Sequence, residues 1–204
     1  MEYLVTMTTH VPDGTPEADI QDARTREAVR SSELAAEGHL RRLWRPPLQP
    51  GEWRTLGLFV ADYADELEDV LASMPLRVWR SDDATPLTPH PNDPAGHQSH
   101  ARRHAHQAGG TEFLTTFDIS APGGTPGEEI YIVEAREADR TRELAADGHL
   151  ERLWRLPGES RALGLWHAAD SADMQATLES LPLFDWMTVQ TTPLTPHPSD
   201  PASD

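Results

Sequence analysis

The sequence predicts an α+β protein built from two ferredoxin-like βαββαβ units packed sheet to sheet, an intramolecular pseudo-dimeric α/β barrel. Three observations carry this expectation. First, the chain repeats itself: residues 2–94 recur as residues 112–201, at an offset of 110 positions up to Pro47/Pro157 and 107 from Gly51/Gly158 onward. A repeat of that length is a domain-sized unit rather than a solenoid turn. Second, within each copy the signals run strand, long helix, strand, strand, short helix, strand, the order of a split βαβ unit with helices on one face of a four-stranded sheet. Third, the bare face of such a sheet must be covered, and the duplicate supplies a second sheet to cover it. The expected domains are residues 1–94, a His-rich flexible linker at 95–110, and residues 111–204.

The opening strands, Tyr3–Val11 and Glu112–Ser120, are rich in β-branched and aromatic residues. Thr15-Pro16 and Thr125-Pro126 read as an N-cap followed by proline at the first helical position, and Glu128 adds a capping box to Thr125. Gly38 and Gly148 suit the left-handed position that ends a helix. His39–Arg45 pairs with Trp53–Ala61, and His149–Arg155 with Arg161–Ala168. Short helices at Ala64–Ser73 and Ser171–Ser180 stop before Pro75 and Pro182, which cannot continue them. Leu76–Leu87 and Leu183–Leu194 are the closing strands. Each copy ends in T-P-L-T-P-H-P (Thr85–Pro91, Thr192–Pro198), a stiff extended tail expected to wrap a neighbouring surface. A structural role is expected for His90 and His197 on it, with reach into a site across an interface as the alternative.

Composition narrows the function. The formal charge is −17, and all 17 basic residues are Arg. Such acidity argues against nucleic-acid backbones and anionic membrane surfaces as partners. It also singles out any Arg kept in both copies as a specific anion contact. The absence of Cys excludes disulfides and thiol chemistry. With no long apolar run and no leader-like start, a cytoplasmic protein is expected. Four of the ten histidines (His97, His100, His104 and His106) fall in the linker. Without a supporting shell they read as compositional rather than as a metal site, so no metal is expected.

Each long helix carries the leading candidate. Ile20, Ala23, Glu27 and Leu34 fall within about 60° of one another on a helical wheel, so Glu27 lies within the apolar stripe. Ile130, Glu137 and Leu144 repeat the pattern. A carboxylate there loses hydration, its pKa rises, and it becomes a proton acceptor near neutrality. The competing reading is an ion pair with Arg30/Arg140 or Arg45/Arg155 that holds the pKa down. The second candidate set is G-H-L-x-R-L-W-R, at Gly38–Arg45 and Gly148–Arg155. His39 and His149 are candidate catalytic proton shuttles, or else satisfy the helix end. Alternation places His39, Leu43 and Arg45 on one strand face and Leu40, Arg42 and Trp44 on the other. Arg45 and Arg155 are candidate clamps for a substrate carboxylate. Trp44 and Trp154 are candidate substrate-binding rings, with core packing as the competing role.

Taken together, the opening strand, the R-E pair (Arg26-Glu27, Arg136-Glu137), G-x-x-x-x-L-W-R, S-L-P-L-F at Ser180–Phe184 and the T-P-L-x-x-H-P ending resemble the muconolactone isomerase family. The resemblance covers nearly all of each copy and excludes the linker. It implies the ferredoxin-like fold, association into homo-oligomers, and proton transfer between carbons of a small unsaturated lactone bearing a carboxylate, without metal or organic cofactor. It also implies a proton-carrier role for Glu27/Glu137 and an anion for Arg45/Arg155. The chain departs from the family in being fused. The first copy also places Arg77 and Arg80 where the second has Phe184 and Met187, which predicts two unequal pockets.

The expected function is a cofactor-free isomerase-type enzyme acting on a small enolisable lactone or ketone, with a tailoring isomerase or cyclase of specialised metabolism among the settings. The alternatives are a cofactor-free oxygenase on the same scaffold and a non-catalytic ligand-binding or assembly protein. The last would be marked by both glutamates locked in ion pairs.

Overall fold

A computed structural model of the chain describes residues 1–97 and 110–203. Most of the expected linker, with His100, His104, His106 and the side chain of His97, lies outside the described residues. The chain divides into two compact units: Met1–Leu87 with Thr195–Asp204, and Thr88–Leu194. Each unit thus contains the proline-rich tail of the other copy.

In the first unit, β1 (Glu2–Thr9), α1 (Glu17–Glu37), β2 (Leu40–Arg45), β3 (Arg54–Val60), α2 (Ala64–Ala72) and β4 (Arg80–Pro89) follow one another. The sheet order is β2-β3-β1-β4, antiparallel throughout, with Tyr3 opposite both Phe59 and Pro86. The free edge of β2 takes the exchanged tail, Trp44 opposite Pro196 and Arg45 opposite Thr195. In the second unit the one-turn helix α3 (Pro94–His97) precedes β5 (Thr111–Ile119), α4 (Gly127–Ala146), β6 (Leu150–Arg155), β7 (Arg161–Ala168), α5 (Ser171–Glu179) and β8 (Met187–Pro196). The order there is β6-β7-β5-β8, and Thr88–Pro89 pair along β6. Both units are the expected α+β, ferredoxin-like βαββαβ arrangement.

The core of each unit lies between the helices and one sheet face. Val5, Leu34, Phe59 and Leu71 are buried in the first, and Phe113, Leu144, Trp166 and Leu178 in the second. Glycine is required opposite the large ring: a Cβ on Gly57 would collide with Phe59, and one on Gly164 with Trp166. Trp166 Nε1 donates to Thr115 Oγ1 at 2.7 Å, which satisfies its only polar atom inside the core.

Three local expectations are corrected. Thr15 and Thr125 are not side-chain N-caps; their hydroxyls donate to Pro12 and Pro122 carbonyls at 2.7 Å, and the helices begin after Pro16 and Pro126 without a capping box. Acidic first turns (Glu17 and Asp19; Glu128 and Glu129) supply the favourable charge there instead. Strict alternation along β2 and β6 is broken by a bulge, because the register jumps between Leu40 and Arg42 and between Leu150 and Arg152. The extra residue turns Leu40 onto the same core as Leu43. Finally, the closing strands start late, at Arg80 and Met187, because 3₁₀ turns occupy Pro75–Trp79 and Phe184–Trp186. Gly38 and Gly148 do adopt the left-handed conformation, at φ +87° and +84°.

No helix among the described residues is long and apolar enough to cross a membrane.

Candidate active site

The helix stripe and the 3₁₀ turn build the site together. Glu27 and Glu137 project from α1 and α4 toward the turn that follows the short helix. The Leu76 amide donates to Glu27 Oε2 at 2.8 Å, and the Leu183 amide donates to Glu137 Oε2 at 3.0 Å. The turn therefore orients one oxygen of each carboxylate, a role that sequence periodicity alone did not reveal.

The two copies then diverge. In the first, Arg80 Nη1 donates to Glu27 Oε1 at 2.8 Å. Arg80 also grips Asp82 at 2.6 Å, and Asp82 takes Arg77 at 3.0 Å, so Glu27 Oε1 ends in an ionic network while Oε2 is held by the Leu76 amide. In the second copy Met187 and Val189 stand where Arg80 and Asp82 do, and no cation among the described residues touches Glu137. The partners considered from sequence are occupied elsewhere: Arg30 bonds Ser73, Glu33 and Glu37, and Arg140 bonds Ser180 and Glu143. Arg45 and Arg155 do not pair with the glutamates either.

Burial pushes both carboxyls above the ordinary glutamate value. For Glu27 the Leu76 amide and then Arg80 oppose that rise, while Asp82 adds to it. For Glu137 only the Leu183 amide opposes it. With one backbone amide as its opposing contact, the 9 % exposed Glu137 carboxyl holds its proton more tightly than an ordinary glutamate does.

Each glutamate opens onto a cavity. In the second unit it has a volume of about 760 Å³, with Glu137, Arg155, His90, Phe117, Trp166 and Met187 among its walls. In the first it is about 630 Å³, with Glu27, Arg45, Arg80, His197, Met7 and Trp53. The exchanged tails thus bring His90 beside Arg155 and His197 beside Arg45. Their Nδ1 atoms accept from the Asn92 and Ser199 amides, each at 3.1 Å. Burial first, then the adjacent arginine, lowers both histidines to about 4, against the pull of Asp93 and Asp200. The tail histidine was visible in sequence as part of the shared H-P-x-D-P ending, but its placement needed the tail exchange.

That ending has its own anchor. Asp200 takes the Leu43 amide at 2.9 Å and Arg42 at 3.2 Å; Asp93 takes the Leu153 amide at 3.0 Å and Arg152 at 3.3 Å.

The remaining candidates lie away from the cavities. His39 Nδ1 contacts the Val60 carbonyl at 2.9 Å and His149 Nδ1 the His167 carbonyl at 3.1 Å, tying each helix end to the neighbouring strand. Neither residue is among the walls of these two cavities. Trp44 and Trp154 are 1 % exposed and stack under Arg42 and Arg152, also outside the cavity walls. Of the residues singled out from sequence, the structure brings Glu137 together with Arg155 and Glu27 with Arg45. A separate trio, Glu112, Glu151 and His167, holds ligand-type atoms within 4.8 Å of one another, a geometry able to take a divalent cation. The first copy has Arg41 and Val60 at two of these positions.

The muconolactone delta-isomerase family profile matches this chain twice, over residues 1–93 and 111–200. The chain belongs to the muconolactone delta-isomerase family. Muconolactone Delta-isomerase 1 of Acinetobacter lwoffii is 32 % identical over 92 residues, 45 % of this chain and 96 % of the relative. Muconolactone Delta-isomerase of Cupriavidus pinatubonensis is 29 % identical over 87 residues, 43 % of this chain and 95 % of the relative. These family members correspond in length to one copy, so this chain carries the family unit as a tandem duplication. A heme-binding protein from Thermus thermophilus matches 95 % of the chain and 92 % of its own at a TM-score of 0.57, and with 12 % identity that likeness concerns the fold alone.

Proposed function

We propose that the chain is an isomerase of small, carboxylate-bearing unsaturated lactones, of which muconolactone is the first to test, and that the second unit does the chemistry. The observation that carries this is the asymmetry of the two glutamates. Glu137 keeps Oε1 without a protein partner among the described residues and faces a cavity, whereas both oxygens of Glu27 are committed.

In this reading Arg155 receives the substrate carboxylate through its guanidinium fork. Glu137 takes a proton from a carbon made acidic by the conjugated carbonyl. The released electron pair moves into the carbonyl system, and Glu137 returns the proton to a different carbon of the same ligand. The net result is a shifted double bond with no change of composition, chemistry a raised-pKa carboxyl is suited to perform. The first unit keeps a cavity and an arginine, Arg45, but both oxygens of Glu27 already accept from protein donors, which favours a binding or supporting role there.

Turnover of muconolactone by the intact chain, followed by ultraviolet absorbance, tests this. Glu137→Gln should lower kcat about 10²–10⁴-fold, with the fold unchanged by circular dichroism. Turnover within a few-fold of the parent would remove Glu137 as the base.

A further inference from the structure

We propose that His90 is the electrophilic partner of Glu137: its Nε2–H donates a hydrogen bond to the carbonyl oxygen of the lactone bound in the second unit's cavity. The inference rests on the reading of Glu137 as the base and adds the group that receives the charge Glu137 releases.

The tautomer follows from the backbone. The Asn92 amide donates to His90 Nδ1 at 3.1 Å, so Nδ1 must present a lone pair. A neutral imidazole then carries its proton on Nε2. Nε2 has no protein acceptor among the described residues, and the side chain lines the same cavity as Glu137 and Arg155. The ring is held in place: the His90 amide donates to the Leu153 carbonyl at 3.1 Å and its carbonyl accepts from the Asp93 amide at 2.9 Å. Asp93 in turn takes the Leu153 amide and Arg152. The charged groups facing the ring are Arg155 and Asp93, and burial together with Arg155 keeps the ring neutral down to about pH 4.

A neutral, pre-oriented donor is what an enolate oxygen needs. When Glu137 removes the C–H proton, the electron pair arrives on the carbonyl oxygen. Nε2–H then strengthens its hydrogen bond without giving up its proton. The proton on Glu137 returns to another carbon, and His90 ends the cycle unchanged. His197 has the same geometry in the first unit, with the Ser199 amide on Nδ1, but there the facing glutamate is tied to Arg80.

The test combines kinetics with ¹⁵N-histidine NMR on the full chain, using muconolactone as the probe. His90→Ala should lower kcat about 100-fold, the scale of losing one donor to a developing oxyanion, with a much smaller change in KM. His90→Gln, which keeps an N–H donor, should recover part of the loss. In the NMR spectrum His90 should show the Nε2–H neutral tautomer near pH 6.5, and muconolactone should shift its Nε2 resonance. Parent-like kcat in His90→Ala alongside an inactive Glu137→Gln would overturn this proposal and leave the base assignment standing. An active Glu137→Gln would remove the base, and the NMR would still decide His90. An Nδ1–H tautomer, or an Nε2 resonance indifferent to muconolactone, overturns the role of His90 whatever the kinetics.

Discussion

Arg80 Nη1 lies 2.8 Å from Glu27 Oε1, with side-chain exposures of 2 % and 13 %. A charge buried that deeply must be matched, and Arg80 is matched twice, by Glu27 and by Asp82. At the equivalent place in the second copy, Met187 leaves Glu137 to a single backbone amide. Two copies of one scaffold therefore hold one carboxylate against a buried arginine and the other beside a cavity with no cation in contact among the described residues.

Removing the first glutamate should be a stability change rather than a catalytic one. Glu27→Ala leaves part of the Arg80 guanidinium unpaired, a loss of about 1–3 kcal/mol. For a chain of this size each 1 kcal/mol is about 2–4 °C in Tm. Thermal unfolding should show that drop while muconolactone turnover stays within about threefold of the parent.

Rewriting the first copy as the second should release its base. In a Glu137→Gln background, the added changes Arg77→Phe, Arg80→Met and Asp82→Val reproduce the residues of the second copy at those positions. Turnover should rise about tenfold over Glu137→Gln alone, equivalent to roughly 1.4 kcal/mol of transition-state stabilisation. No rise in initial rates, with the fold intact, would show that the first cavity lacks more than a free carboxylate.

The titration of Glu137 predicts a pH-dependent gain from its amide variant. Its folded pKa is raised, so over the window above the ordinary value of 4.5 the folded chain holds a proton that the unfolded chain has lost. Stability from this group falls as pH rises through that window. Glu137→Gln should therefore raise Tm at pH 7.5, and the advantage should shrink as the pH approaches 4.5.

His90 and His197 work in the opposite direction. Their folded values of about 4 lie below the ordinary 6.5, so the unfolded chain binds the extra protons between those limits. The stability they contribute is present above 6.5 and is lost as pH falls toward 4. Denaturant melts of the His90→Gln/His197→Gln double variant should show a flatter decline between pH 6.5 and 5 than the parent.

Cutting the tail anchors should cost more than any surface change. Asp93→Ala and Asp200→Ala each remove a buried carboxylate from an ion pair, with a partly exposed Arg152 or a buried Arg42, and strand a strand amide, Leu153 or Leu43. A loss of about 3–5 kcal/mol is expected for each, measured by urea unfolding. Asp93→Ala should also lower kcat, because it frees the loop that carries His90.

Much of this was legible without coordinates. The duplication, the βαββαβ order, the glycine that ends each long helix and the glutamate within its apolar stripe all follow from local periodicity and backbone preference, which neighbouring residues suffice to express. Even the inequality of the copies was visible in Arg77 and Arg80. What the residues alone could not say was that Arg80, rather than Arg30 or Arg45, closes on Glu27. That contact spans 53 positions and depends on the 3₁₀ turn replacing the start of the expected strand. The bulge at Arg41 and the binding of Asp93 to Arg152 are likewise outcomes of packing, as is the arrival of His90 in the second unit's cavity. Sequence determines which faces are apolar and where the chain turns; only the folded chain decides which distant charges meet, because that choice is made by geometry after the backbone has been placed.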